Sequence, residues 1–408
     1  MMRLKLTAFA MSVVVLIAAF LVPVIPVRAQ TPHLTPFVVD VLSPPRTAYG
    51  ADDRRHLVYE LRVANPTASE IKFTSVHVID SDTGRPLLEL DRDAIAKRLA
   101  IGGRRGAESA DLGVGQFGVL FVHVALEAGT PTPKSIAHQV TAQLVQRGLS
   151  ITMTVGQTPV QDPPPVVLGP PLVGRGYIAG DGCCDSIRHV RALLPLNGRF
   201  ALAQRFAIDW EQINAENRLL NGNPKVLSAY TIFGKEVVAV ADGTVVAIRN
   251  DLPEQVPGRL PENLSVEEAD GNFVVLDIGG GTYVLYAHLQ PGSVRVPPGA
   301  RVRRGQPIGR VGNTGNSQAP HLHLHVMDGP SPLLSNGIPY VVDDFVLTAT
   351  DSAGTADFDR AEATGAPLTL SLQSPVRPQR NLLPMDLMVV DFPRPPPDAA
   401  SIPSAADR

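Results

Sequence analysis

The chain has 408 residues, with 36 Lys and Arg against 39 Asp and Glu, a net charge of −3 and a pI near 6.4. Its basic residues cluster only as pairs such as Arg54-Arg55, Arg104-Arg105 and Arg303-Arg304, so no nucleic-acid partner is expected, since that needs a dense basic face. The 38 prolines and 35 glycines against 13 phenylalanines and one tryptophan favour short strands and turns over long helices.

Arg3 and Lys5 precede an apolar run from Leu6 to Val22, and Val27-Arg28-Ala29 places small residues before Gln30. Residues 1–29 therefore read as an export signal, and the remainder as periplasmic or extracellular and associated with the cell envelope. An uncleaved anchor is the alternative, because the run approaches the length of a bilayer span; Pro23 and Pro26 would disturb such a helix. No later segment reads as a membrane span once the signal is cleaved.

Residues 30–156 read as an antiparallel β-sandwich. Leu57, Tyr59, Leu61 and Val63 alternate in one run, Phe117, Val119 and Phe121 in another, and Ile136, Val140 and Leu144 recur in a third, with turns at Asn65-Pro66 and Asp82-Thr83-Gly84. His33, His56, His77, His123 and His138 are scattered singly and read as ordinary surface or core residues. Six prolines between Gln157 and Leu172 favour an extended polyproline conformation, so residues 157–175 are expected to be a linker.

The sequence predicts a second, mainly β domain over residues 176–350. Its strands fall at Glu236–Val240, Gly243–Arg249, Asn272–Ile278, Thr282–Leu289, Gln306–Val311 and His321–Val326, with Gly279-Gly280-Gly281 as a tight hairpin. The excursion from Asn250 to Gly271 is too long for a hairpin turn and either walls a groove or is a solvated loop. Adjacent Cys183 and Cys184 are open to a vicinal disulfide, an intermolecular one, free thiols or metal contact. Residues 351–408 form an extension in which Leu382–Phe392 reads as a returning strand and Pro393–Arg408 as disordered.

In the last predicted strand His321, His323 and His325 alternate with Leu322, Leu324 and Val326. Period two puts the three imidazoles on one face and the aliphatic residues in a core. Residues two apart on one face can reach the same metal ion, or one can bind while its neighbour handles protons.

The segments Val237–Ile248 (VVAVADGTVVAI), Gly279–Leu289 (GGGTYVLYAHL) and Val296–Val326 (VPPGARVRRGQPIGRVGNTGNSQAPHLHLHV) occur in an order that resembles the core of lysostaphin- and LytM-type zinc metallopeptidases. Those enzymes cut peptide cross-bridges in peptidoglycan. The resemblance spans roughly residues 198 to 345 and implies an antiparallel β domain of the duplicated-hybrid-motif kind, one zinc ion and a peptidoglycan peptide as substrate. It further implies that His323 is a metal ligand, that His321 lies beside the catalytic water, that His288 handles a proton or steadies an oxyanion, and that Asp209 is a second ligand.

Where that family places its remaining ligand, a histidine four residues before the aspartate, this chain has Arg205. A guanidinium has no lone pair to donate. Placed about 4 Å from a unit positive charge it costs roughly 4 kcal/mol at an effective dielectric near 20, and a divalent ion doubles that. His325 is the first substitute suggested by position on the strand, replacing the glutamate that often ends the motif; His189 is the second. Two functional readings follow: a zinc-dependent endopeptidase with Asp209, His323 and His325 on the metal and His288 and His321 catalytic, or a degenerate relative that binds cell-wall peptide or activates a partner hydrolase. A lipoyl or biotinyl carrier is excluded because no lysine follows Lys235, and neither a Gly-x-Ser-x-Gly elbow nor a phosphate loop is present.

Overall fold

A computed structural model describes residues 35–104 and 106–392. The expected signal at 1–29 and the tail Pro393–Arg408 lie outside the described residues. From Pro36 onward the described chain forms one compact unit.

Two five-stranded antiparallel sheets make the expected sandwich. One contains Val38–Val41, Thr47–Tyr49, Arg55–Ala64, Phe117–Leu126 and Leu99–Ile101; the other Leu149–Pro159, Ser135–Leu144, Ile71–Asp80, Pro86–Asp91 and Asp111–Leu112. Leu57, Tyr59 and Leu61 meet Ile136, Val140 and Leu144 in the core between them. The strand Phe117–Leu126 departs from the expected register: Leu120, Val122 and Val124 face that core, whereas Val119 and Phe121 pack outward against Leu202. Both faces of this strand are covered, and a strand buried on both sides is apolar at successive positions, which hides its alternation. The partner strand Arg55–Ala64 is two-faced in the same way. Its odd positions enter the sandwich core, while Val58 joins the core of the second half of the molecule and His56 and Glu60 are buried on the same side as Val58.

The second half is built on a ten-stranded sheet in the order Arg301–Val302, Gly243–Arg249, Asn272–Asp277, Tyr283–Leu289, Leu322–Met327, Ile208–Gln212, Gly174–Gly180, Met388–Phe392, Phe345–Asp351 and Leu370–Gln379. The glycine hairpin is present, with Thr282 N donating to Gly279 O and φ of +88°, +62° and +75° at its three glycines, angles that side chains disfavour.

Two expected boundaries are corrected. The proline-rich stretch is not a free spacer: Val166–Leu168 pairs in parallel with Tyr340–Val342, and Leu168 and Leu172 are fully buried. Its apolar side chains outweigh the polyproline tendency of the residues between them. The sheet also does not stop at residue 350, because Met388–Phe392 pairs with both Gly174–Gly180 and Phe345–Asp351. Residues 351–392 therefore complete the same sheet, and the returning strand expected within Leu382–Phe392 is Met388–Phe392. The helix Thr355–Thr364 packs Phe358 and Ala361 against Ile178, Ala349 and Val389.

Candidate metal centre

On the strand Ile208–Gln212 the odd and even residues divide as period two requires. Ile208 and Trp210 enter the core, so Trp210 lies behind the site. Asp209 and Glu211 face the other way. Asp209 sits opposite His323 of the neighbouring strand, and His323 opposite Ala287 of the next. Leu322, Leu324 and Val326 are buried in the core, as the alternation predicted.

Asp209 is the hub. Its Oδ1 lies 2.8 Å from His323 Nδ1 and 3.4 Å from His321 Nε2, and its Oδ2 lies 3.3 Å from His189 Nε2. One donor atom from each of His189, Asp209 and His323 lies within 4.8 Å of the others, and the same holds for His288, His321 and His323. Each histidine is aimed by its second nitrogen. His189 Nδ1 donates to Asp181 O at 2.9 Å, His321 Nδ1 to Ala319 O at 2.7 Å and His288 Nδ1 to Thr314 O at 2.7 Å. His323 Nε2 lies 2.9 Å from His325 Nδ1. An orienting partner on the far nitrogen is the usual environment of a metal-binding imidazole, because it fixes both tautomer and ring plane.

Two sequence expectations change here. His325 is fully buried behind His323 and is not brought to Asp209; it occupies the orienting position. Expecting it as a ligand relied on strand face and on its replacing the motif's glutamate, neither of which separates a residue beside the ion from one behind the ligand. Arg205 does not point into the site. Its Nε and Nη2 donate at 2.9 Å to the two oxygens of Glu60, and its Nη1 donates to Gly337 O at 3.0 Å. The repulsion feared from its charge is thereby neutralised by a carboxylate of the sandwich domain. His189 arrives instead from the loop after Gly174–Gly180. There Asp181 accepts from Ser186 Oγ and Arg188 Nε while its carbonyl holds His189. The same loop is tied to the sandwich by Arg98, which donates to Asp185, and by Arg191, which donates to Lys97 O.

Burial is the largest single influence on Asp209 and opposes its charge, yet the charges of His189 and His321 and the hydrogen bonds of His189 and His323 outweigh it and hold the carboxyl well below its usual range. His189 responds in kind: burial works against its charge, but Asp209 and then Asp181 lift it to about 9. Burial lowers His323 despite Asp209, and burial with the nearby His321 and His323 holds His288 well below the ordinary imidazole value. The pocket thus concentrates positive charge at Asp209, a condition that a divalent ion satisfies in place of the imidazolium proton. Two imidazoles and one carboxylate are the protein donor set of many catalytic zinc sites, so the residues present fit such an ion.

Several contributors are not evident from sequence. Thr314 is fully buried; besides holding His288 through its carbonyl, its hydroxyl accepts from Asn272 N and donates to Leu289 O. Gly271, at φ +64°, passes so close that a Cβ there would lie 2.3 Å from Thr314 O. The excursion after Asn250 braces this turn, with Asn313 N donating to Glu254 and Gln255 N to Asn313 O. It is not merely a solvated loop. Glu211, buried beside Asp209, faces Glu362 of the helix Thr355–Thr364; burial and then the second carboxyl raise Glu211, and burial raises Glu362 to about 7. The Asp209-x-Glu211 alternation was the available signal for Glu211; nothing in the sequence pointed to Glu362.

His325→Ala is expected to weaken metal binding by about 10–100-fold, the range for losing an orienting partner, while equilibrium dialysis still shows saturable binding. Complete loss of binding would instead place His325 on the ion.

Residues 227–334 match the profile of Peptidase family M23, a span that contains His288, His321, His323 and His325 and begins after His189 and Asp209. DD-carboxypeptidase/endopeptidase Mpg of Neisseria meningitidis serogroup B is 35% identical over 107 residues, 25% of this chain and 24% of that protein. Peptidoglycan DD-endopeptidase ShyA of Vibrio cholerae is 34% identical over 94 residues, 23% of this chain and 18% of that protein. The chain therefore spans about a quarter or less of these relatives. Among solved structures, the catalytic domain of lysostaphin from Staphylococcus simulans aligns at 22% identity and a TM-score of 0.23, covering 40% of this chain and 88% of that one.

Proposed function

With residues 227–334 a LytM-type Peptidase family M23 domain, we propose that the chain is an exported, zinc-dependent endopeptidase that hydrolyses peptide bonds of peptidoglycan. The observation that carries this reading is the third donor, His189, standing with Asp209 and His323 where Arg205 gives none. Export rests on the leader composition of residues 1–29; among the described residues no helix is long and apolar enough to cross a membrane.

Zinc held by His189, Asp209 and His323 would supply Lewis acidity and bring the pKa of water toward neutrality. The chain's own part falls to His288 and His321, whose rings lie 4.6 Å apart between centroids. Because each spends Nδ1–H on a backbone carbonyl, each presents an Nε2 lone pair to the site. His321, with Nε2 close to Asp209, accepts the proton of the attacking water. His288, kept neutral by burial, takes that proton from His321, donates Nε2–H to the oxygen that gains charge, and releases the proton to the leaving amine. Arg205, which motivated the alternative reading of a degenerate binder, is bonded to Glu60 and Gly337 O, and His189 is the residue that would replace the donor it lacks.

The test is metal analysis of purified protein followed by incubation with purified peptidoglycan. Zinc-dependent release of soluble peptides is expected, and His321→Ala is expected to keep its zinc while activity drops about 10²–10⁴-fold. A zinc-loaded protein that releases no peptide refutes the proposal.

A further inference from the structure

A second group of donors, unused by the proposed reaction, meets where the sandwich abuts the loop carrying His189. His56 and His123 come from paired strands of the sandwich, on the face turned away from its core. His56 Nδ1 and His123 Nε2 are 2.9 Å apart, and with Cys184 Sγ they form a set whose donor atoms all lie within 4.8 Å of one another. Cys184 is bonded to Cys183, so its sulfur is held as a disulfide. The second nitrogen of His56 lies 3.1 Å from Asp52 Oδ1, the orienting arrangement described above for the metal centre. Met385 adds a further sulfur at the margin, for a Cβ on Gly50 would lie 2.8 Å from both His56 Nε2 and Met385 Sδ.

We propose that reducing the Cys183–Cys184 disulfide turns this cluster into a second metal site, formed by His56, His123 and Cys184, for a thiophilic divalent ion of the zinc type. A dithiol reductant supplies two electrons and two protons, becomes a disulfide itself and leaves two cysteine thiols. On binding, the Cys184 thiol proton leaves to solvent. His56 keeps its Nε2–H, donating it in a hydrogen bond to Asp52, and offers its Nδ1 lone pair; His123 moves its own proton from Nε2 to Nδ1, so both imidazoles bind neutral. Burial and then His56 already depress His123 to about 4, so no charge has to be removed from that ring at neutral pH. At zinc–nitrogen and zinc–sulfur lengths of about 2.0–2.1 and 2.3 Å, donors around one tetrahedral ion stand roughly 3.3–3.8 Å apart, so the two rings must separate by only a few tenths of an ångström. Thiolate with imidazole selects zinc-type over hard cations.

Cobalt(II) titration of the whole protein tests this, because the centre at Asp209 has only nitrogen and oxygen donors and a thiolate-to-cobalt charge-transfer band reports the new site alone. Cys183→Ser leaves Cys184 free without any reductant and is expected to show the band. So is wild type that has been reduced with dithiothreitol and freed of it. Oxidised wild type and Cys184→Ser are expected to lack it. His123→Ala is expected to weaken cobalt binding by about a hundredfold or more, and Asp52→Ala by about 10–100-fold. Circular dichroism confirms that each variant is folded, and if Cys183→Ser is not, reduced wild type carries the test. Adding His189→Ala leaves the band in place, which separates this site from the proposed hydrolytic centre. Absence of the band in folded, reduced protein overturns the proposal, as does an unchanged affinity in His123→Ala, which would mean that the sulfurs alone hold the ion.

Discussion

His189→Ala is expected to abolish both metal retention and hydrolysis, and His189→Ala combined with Arg205→His is expected not to restore them. Without His189 the site offers only Asp209 and His323, one short of the three protein donors that hold catalytic zinc. The affinity loss should exceed the roughly hundredfold that follows from removing a mere orienting partner. Stability reports the same loss: zinc at a hundred times its Kd stabilises wild type by about 2.7 kcal/mol, a thermal shift that should vanish in His189→Ala. The double variant decides between two geometries. If the position four residues before Asp209 still faced the ion, a histidine there would rebuild the ordinary donor set. With Arg205 directed at Glu60 and Gly337, a histidine in its place faces the sandwich domain instead. Recovery of zinc content in the double variant would show that the backbone at 205 can swing its side chain into the site, and the assignment of His189 would fall.

How much of this was legible in the sequence depended on the range of the interaction. The alternation of His321 to Val326 announced the strand, its core face and its polar face, because period two is a local property of the backbone. Asp209, His288, His321 and His323 were accessible through their resemblance to a family, and the structure brings all four together. The proposed third donor, His189, was named from the sequence only as a second substitute after His325. His189 is twenty residues before Asp209, in a loop whose path depends on Asp181 and on anchors to the sandwich at Arg98 and Arg191, and no short-range pattern encodes such a path. The two outward residues Val119 and Phe121 were misplaced for a related reason: in a strand covered on both faces either alternating set is apolar, so the pattern does not say which one enters the sandwich core. The Pro-rich stretch misled because composition reports conformational tendency, whereas Leu168 and Leu172 are fixed by a core contributed from elsewhere.

The sandwich domain thereby acquires a structural task, which the Glu60–Arg205 pair makes measurable. Both side chains are almost wholly buried, so removing one leaves an uncompensated charge. Glu60→Leu is expected to cost about 3–5 kcal/mol, lowering Tm by on the order of 10 °C. Replacing both, with Glu60→Leu and Arg205→Met, is expected to recover most of that loss, since apolar residues of similar volume often substitute for a buried pair without penalty. Recovery should stop short of wild type because Gly337 O loses the donor that Arg205 Nη1 provides, and a buried carbonyl left unpaired costs about 1–3 kcal/mol. Thermal denaturation of the two single variants and the double closes the cycle. Zinc content measured on the same samples adds the functional half, because the double variant, once stable, should retain its ion through His189, Asp209 and His323. A Glu60→Leu variant as stable as wild type would mean that the guanidinium finds another anion or water, and the sandwich would then not be what turns Arg205 away from the metal centre.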